Sequence, residues 1–159
     1  MALPGTITIT RSATAATAVL NAFTAIGGTL VLDKVDDSNC TRDFQPETIA
    51  SSLIPGRSRW GTVQQPGIAT TNTPKFLWVF SGVFITRLQA VALQELARDN
   101  TTYSCTLNDN LWATLINGSD LTATVRIVIN NGKLFDGEVY LDRSAGVNVF
   151  SVSFTALEL

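Results

Sequence analysis

Residues 76–100, FLWVFSGVFITRLQAVALQELARDN, decide the fold class. The first half is dense in Val, Phe and Ile and reads as strand, with Ser81-Gly82 marking a bulge or bend between FLWVF and GVFI. Thr86 offers an N-cap oxygen, and Gln89 three residues on completes a capping box. The helix that follows covers about 86–98. Its spacing puts Leu88, Val91, Ala92 and Leu96 on one face and Gln89, Gln94, Glu95 and Arg98 towards water. Arg98 suits the C-terminal end of the helix dipole, and Asp99-Asn100 closes the helix.

Downstream the pattern is nearly all β. TYSCTL and LWATLI flank Asn108-Asp109-Asn110, which reads as a hairpin turn, and Asn117-Gly118 marks the next turn. LTATVRIVI, 121–129, alternates with Leu121, Ala123, Val125, Ile127 and Ile129 on one face. Asn130-Asn131-Gly132 is a further turn. KLFDGEVYLD follows, with Asp136-Gly137-Glu138 as a bulge or tight turn, and then VNVFSVSFTAL, where Phe150, Val152, Phe154 and Ala156 share a face. Strands this close together predict an antiparallel meander packing the helix on one side.

Upstream, TITIT at 6–10 alternates, with Ile7 and Ile9 inward. SATAATAVLNAFTAI carries a helical stripe of Val19, Leu20, Phe23 and Ile26. Ser12 is the candidate N-cap and Gly27-Gly28 the stop. TLVLDKV, 29–35, reads as strand. From 36 to 75 regularity is lost: Pro46, Pro55, Pro66 and Pro74 punctuate the stretch, and PETIASSL is its one short helical segment. Loops beyond about 12–15 residues are uncommon in compact domains. This one keeps Trp60 and Ile68, so it reads as an extended loop or arm that packs on something. The expected fold is mainly β (α+β): one domain, 1–159, an antiparallel β-sandwich or barrel with a flanking helix at 86–98 and a second near 12–26.

Composition bears on function. The 159 residues include no histidine, which removes the usual general base and the commonest metal ligand. Lys34, Lys75 and Lys133 are the only lysines, and none sits in a motif with Ser. No phosphate loop, zinc-protease motif or nucleophile elbow occurs. The expectation is no enzyme activity and no cofactor. Asp33-Lys34-Val35-Asp36-Asp37 lacks the calcium-loop pattern and reads as a solvated strand end. Cys40 and Cys105 lack zinc spacing, and the sequence leaves open whether they bond to each other. Charged residues are 15% of the chain and the net charge is −2, which offers no field for nucleic acid. No apolar run reaches a membrane span, and MALPGTITIT lacks the basic start and apolar run of a signal peptide. These features lead to the expectation of a chain made in the cytoplasm, with no nucleic-acid or membrane partner. Surface so poor in charge suits coverage by other proteins.

Arg57-Ser58-Arg59-Trp60 is the single basic-aromatic cluster. Arg57, Arg59, Trp60 and Ile68 are the candidate protein-interface residues, since Arg and Trp are favoured at interface hot spots. Trp78 and Trp112 lie in strands and read as packing residues rather than sugar platforms.

A strand entering a capped helix, FSGVFITRLQAVALQELARDN, followed by hairpins and a closing strand, VNVFSVSFTALEL, resembles the building blocks of tailed-bacteriophage tails: tail-tube, distal-tail and baseplate proteins. The resemblance covers about residues 76–159, with TITIT as a further strand. It implies a β-barrel or sandwich with one flanking helix, and loops that reach neighbours. It also implies a structural role in the virion, assembled in the host cytoplasm. The implied partners are other copies of the chain, in a ring or tube, and neighbouring virion proteins. The alternative is a carbohydrate- or surface-binding β-sandwich module of a fibre or adhesin.

Overall fold

The computed structural model describes residues 5–33, 35–44, 75–99, 105–112, 118–129, 135–142 and 147–159. In chain order the elements are β1 (Ile7–Arg11), α1 (Thr17–Ala25), β2 (Leu30–Leu32), β3 (Cys40–Phe44) and β4 (Phe76–Thr86). They continue with α2 (Arg87–Arg98), β5 (Cys105–Asp109), β6 (Leu121–Val128), β7 (Phe135–Asp142) and β8 (Val147–Glu158).

The fold is mainly antiparallel β with two helices. The strands form one open sheet in the order β2-β1-β5-β6-β8-β4-β3, with β7 pairing β8. This corrects the expected meander: the last strand inserts between β6 and β4. Its twelve residues make that possible. One side of β8 pairs β4 from Leu77↔Leu157 to Thr86↔Val149. The other side is divided between β7 (Asp142↔Val147 to Phe135↔Val152) and β6 (Val128↔Thr155 to Val125↔Glu158). The sheet ends, β2 and β3, do not pair with each other among the described residues, so the barrel alternative gives way to an open, sandwich-like sheet.

Side-chain contacts show that this sheet folds over on itself. Three inter-strand steps separate β5 from β4, about 14 Å along a flat sheet. Yet the Trp78 indole on β4 donates to the Asp109 carboxylate on β5 at 2.9 Å. The two halves therefore face each other at about the 10 Å spacing of packed sheets. Period-2 alternation fills the space between them. Ile7 and Ile9, Leu107, Val125 and Ile127 meet Trp78, Phe80, Val83, Val152, Phe154 and Ala156, all buried. Phe80 and Phe154 stack with ring centroids 4.4 Å apart.

β4 is one strand with a bulge rather than two. Its pairing with β8 shifts between Phe80 and Val83, and Gly82 sits there at φ 66°, where a side chain would be strained. The bulge lets Phe80 and Val83 both face inward. At the strand end Thr86 caps α2. Its hydroxyl accepts from Gln89 N–H at 3.3 Å and its own N–H donates to Gln89 Oε1 at 3.0 Å. Helix position is therefore as the sequence predicts, and its rotation is so in part: Ala92 and Leu96 face inward as expected, Leu88 and Val91 do not. Ala90, Ala92, Leu93 and Leu96 are buried, whereas Leu88 and Val91 are 53% and 43% exposed. Apolar side chains occupy most positions from 88 to 97, so spacing alone allows either face. Packing selects the one with small Ala90, and Leu93, which are fully or nearly fully buried.

α1 begins at Thr17, not Ser12. The Ser12 hydroxyl accepts from Thr14 N–H at 3.3 Å in a local turn, the usual competitor of helix for serine. The N-cap residue, Ala16, carries no capping side chain, and its N–H donates to the Asp99 carboxylate at 3.2 Å, just beyond the end of α2. Gly27 and Gly28 close α1. Both have positive φ, with Gly28 N–H on Phe23 C=O at 2.7 Å and Gly27 N–H on Thr24 C=O at 3.2 Å, the Schellman pattern.

Candidate protein interface

The stretch read as loop from 36 onward contains β3. An Asp36–Asn39 turn leads into it, with Asp36 N–H on Asn39 Oδ1 at 2.9 Å and Cys40 N–H on Asp36 C=O at 3.0 Å. β3 pairs β4 from Cys40↔Phe80 to Phe44↔Phe76. The segment between β3 and β4 thus leaves and returns at one register pair. Arg57, Arg59, Trp60 and Ile68, along with the PETIASSL helix, lie outside the described residues.

β3 is an edge strand, with β4 its only described neighbour. Ser81 N–H donates to Asn39 C=O at 2.8 Å. Antiparallel pairs alternate, so Thr41↔Val79 and Asp43↔Leu77 carry the ladder bonds, while Arg42 and Phe44 turn their backbone groups to the outer edge. Phe76 obeys the same alternation: its N–H points towards β8 and meets the Glu158 carboxylate at 2.6 Å.

The inward side of this stem holds the buried polar chemistry. Asp109, expected in a turn, is the last residue of β5 and 0% exposed. Its Oδ2 accepts from Trp78 Nε1 at 2.9 Å and from Arg42 at 3.3 Å, and its Oδ1 accepts from Trp112 N–H at 3.0 Å. The Arg42 side chain is 6% exposed, and its guanidinium also lies over the Phe76 ring, 5.0 Å from the centroid. One carboxylate therefore ties β3, β4 and the residue that follows β5 and Leu111. Nearby, burial first and the Asp109 charge second push the Cys40 thiol up to about 12, slightly relieved by the Trp112 indole. Burial alone pushes Cys105 up to about 12. Both cysteines are free.

From this cluster an aromatic ladder climbs to the surface. Phe76 contacts Trp78 at 5.9 Å between centroids and stacks on Phe44 at 5.1 Å. Phe44 is 63% exposed, the most exposed large apolar side chain described. A second apolar patch lies at the start of α2. Leu88 and Val91 are exposed there, and Gln89 Nε2 donates at 3.2 Å to the C=O of Val31 on β2, itself 41% exposed. Trp78 is fully buried, and Trp112 packs partly buried against the core, so neither forms an open sugar platform.

Sequence reasoning passed over Arg42, Phe44 and Asp109. In CTRDF an arginine occupies an inward position, which hides the strand's alternation, and Asn108-Asp109-Asn110 has turn composition. Among the described residues no group of three or more His, Cys, Asp or Glu side chains could hold a metal ion, and no helix is long and apolar enough to cross a membrane. Comparison of the chain with protein-family models, curated proteins and solved structures finds no match.

Proposed function

We propose that this chain is a structural subunit of a tailed-bacteriophage tail or baseplate, acting through oligomeric assembly and protein–protein contacts. One observation carries the reading: the β3–β4 stem. There the charged groups Arg42 and Asp109 are consumed inside the fold, while a stacked aromatic, Phe44, stands exposed on an edge strand. An exposed aromatic backed by a fixed ring and a buried ion pair is pre-organised for docking, since little side-chain freedom remains to be lost on contact. Arg57, Arg59 and Trp60 belong to the chain inserted at this stem, which keeps them candidates for the same contact.

The test is mass photometry of the purified chain, alone and with the products of the genes beside its own. Discrete oligomers or a stable heteromer are expected. A chain that stays monomeric in every mixture would overturn the reading. Phe44→Ser, which removes the exposed ring without touching the ion pair, should weaken assembly and leave the far-UV spectrum unchanged.

A further inference from the structure

β2 ends the sheet, pairs with β1 alone among the described strands, and is three residues long. Which of its backbone groups face outward follows from its neighbour. Asn110 N–H donates to Thr6 C=O at 3.1 Å, so Thr6, Thr8 and Thr10 turn their backbone groups towards β5. Ile7 and Ile9 therefore bond β2, through Ile7↔Leu32 and Ile9↔Leu30. Val31, opposite Thr8, is left as the one residue of β2 whose N–H and C=O face the outer edge.

That carbonyl is taken. Gln89 Nε2 donates to it at 3.2 Å, while Gln89 Oε1 accepts from Thr86 N–H at 3.0 Å. The two bonds fix the amide: rotated by half a turn, it would set an NH2 group against an N–H and an oxygen against a carbonyl. Glutamate also completes a capping box, but a carboxylate only accepts, so it would satisfy Thr86 and not Val31. Five inter-strand steps separate β2 from β4, the strand that runs into α2, about 24 Å on a flat sheet. One side-chain amide thus joins the outer edge of β2 to the helix that follows a strand near the other end of the folded-over sheet.

We infer that Gln89 is an edge guard: it closes β2 against the addition of another strand, and so decides which end of the sheet stays open. An added strand must bond the Val31 N–H and C=O, and the carbonyl is already engaged. A covering helix is one of the ways in which sheets protect an edge, and here the amide holds the cover in place. At the other end Arg42 and Phe44 turn their backbone groups outward, and among the described residues no side chain bonds them. The inference concerns β2 and stands whether or not the chain assembles as proposed above.

Disulfide trapping tests it. A second copy added to the freed edge about a two-fold axis would set the two Val31 residues opposite each other. Their Cα atoms would lie about 5.5 Å apart, within the disulfide range. Val31 is exposed and both native cysteines are buried, so Val31→Cys supplies the reactive thiol. In that background Gln89→Met removes the amide and keeps an unbranched side chain of similar length. Crosslinking under diamide, read on a non-reducing gel, should run about five-fold faster than with Gln89 present, the factor that one hydrogen bond of ordinary net strength implies. Gln89→Asn, too short to reach both groups, should do the same and covers the case of a Met variant that misfolds. Thr86→Ala is the control: it weakens the helix cap, leaves the bond to Val31 and should leave the rate unchanged. Equal rates with and without Gln89, or a rate raised as much by Thr86→Ala, would overturn the inference.

Discussion

Replacing Asp109 by leucine should be among the most damaging single changes in the described chain, and the reason is Arg42. The wild-type carboxylate is fully buried and receives three donors from three parts of the fold. Leucine is similar in size but accepts nothing. The Arg42 guanidinium, 6% exposed, would lose its counter-charge. Breaking one partner of a buried ion pair costs about 3–5 kcal/mol. The Trp78 and Trp112 N–H groups would also lose their acceptor, at about 1–3 kcal/mol each when nothing replaces it. These terms overlap, because the stem can relax outward, so the single variant should lose about 4 kcal/mol. Adding Arg42→Met removes the stranded charge and keeps an unbranched stem over Phe76. The double variant should recover about half of the loss, the remainder being the two orphaned N–H groups. Urea denaturation reads both. With a slope of about 2 kcal/mol/M, the single variant's midpoint should fall by about 2 M and the double's by about 1 M. A single variant within about 1 kcal/mol of the parent would show that the carboxylate is solvated. A double variant no better than the single would show that the guanidinium is not the source of the loss.

Leu93→Ala should cost about 2–5 kcal/mol because Leu93 is fully buried under α2, whereas Leu88→Ala on the exposed side should change stability by less than about 0.5 kcal/mol in thermal melts of the unassembled chain. Thr86→Ala removes one half of the capping box and should cost about 1 kcal/mol, with α2 amides showing faster hydrogen exchange. Cys40 and Cys105 should resist a neutral-pH thiol reagent in the folded chain and react on unfolding. Folding raises both thiols from the ordinary 9.0 to about 12. Their contribution to stability is therefore complete below about 9 and declines as pH rises towards about 12, where the unfolded chain gains thiolates that the folded chain refuses. A Cys40→Ser/Cys105→Ser variant with the same alkaline decline would place its origin elsewhere.

Much of the architecture is legible where local preference and burial agree. β1 and β6 alternate because each has one drier and one wetter face, and a sequence records that directly. The capping box of α2 is legible for the same reason: both of its hydrogen bonds join residues three apart. Strand order is not local. Nothing in VNVFSVSFTALEL states that its length will be shared between β6 and β7 on one side while β4 takes the other. Helix rotation is only partly legible when apolar residues cover more than one face of the helix. Leu88 and Val91 look like core until packing claims Ala90 and Leu93 beside the expected Ala92 and Leu96.

The candidate interface escapes sequence reading for a deeper physical reason. Its parts violate the patterns by which strands are recognised. Arg42 points inward from an edge strand, a placement that blunts edge-to-edge pairing because an unmatched neighbour would have to bury a charge. Here the charge is matched, by a residue far along the chain. Asp109 would be costly in any apolar core, and Arg42 would be costly without it, so the two positions make sense only together. That mutual dependence removes the cluster's charges from the surface and leaves Phe44, at the open end of the same strand face, as its exposed member. An aromatic held this way by Phe76, with Arg42 on the same ring, has little freedom to collapse onto its own domain. Its exposed face is therefore the feature of the described fold on which the proposed contact rests.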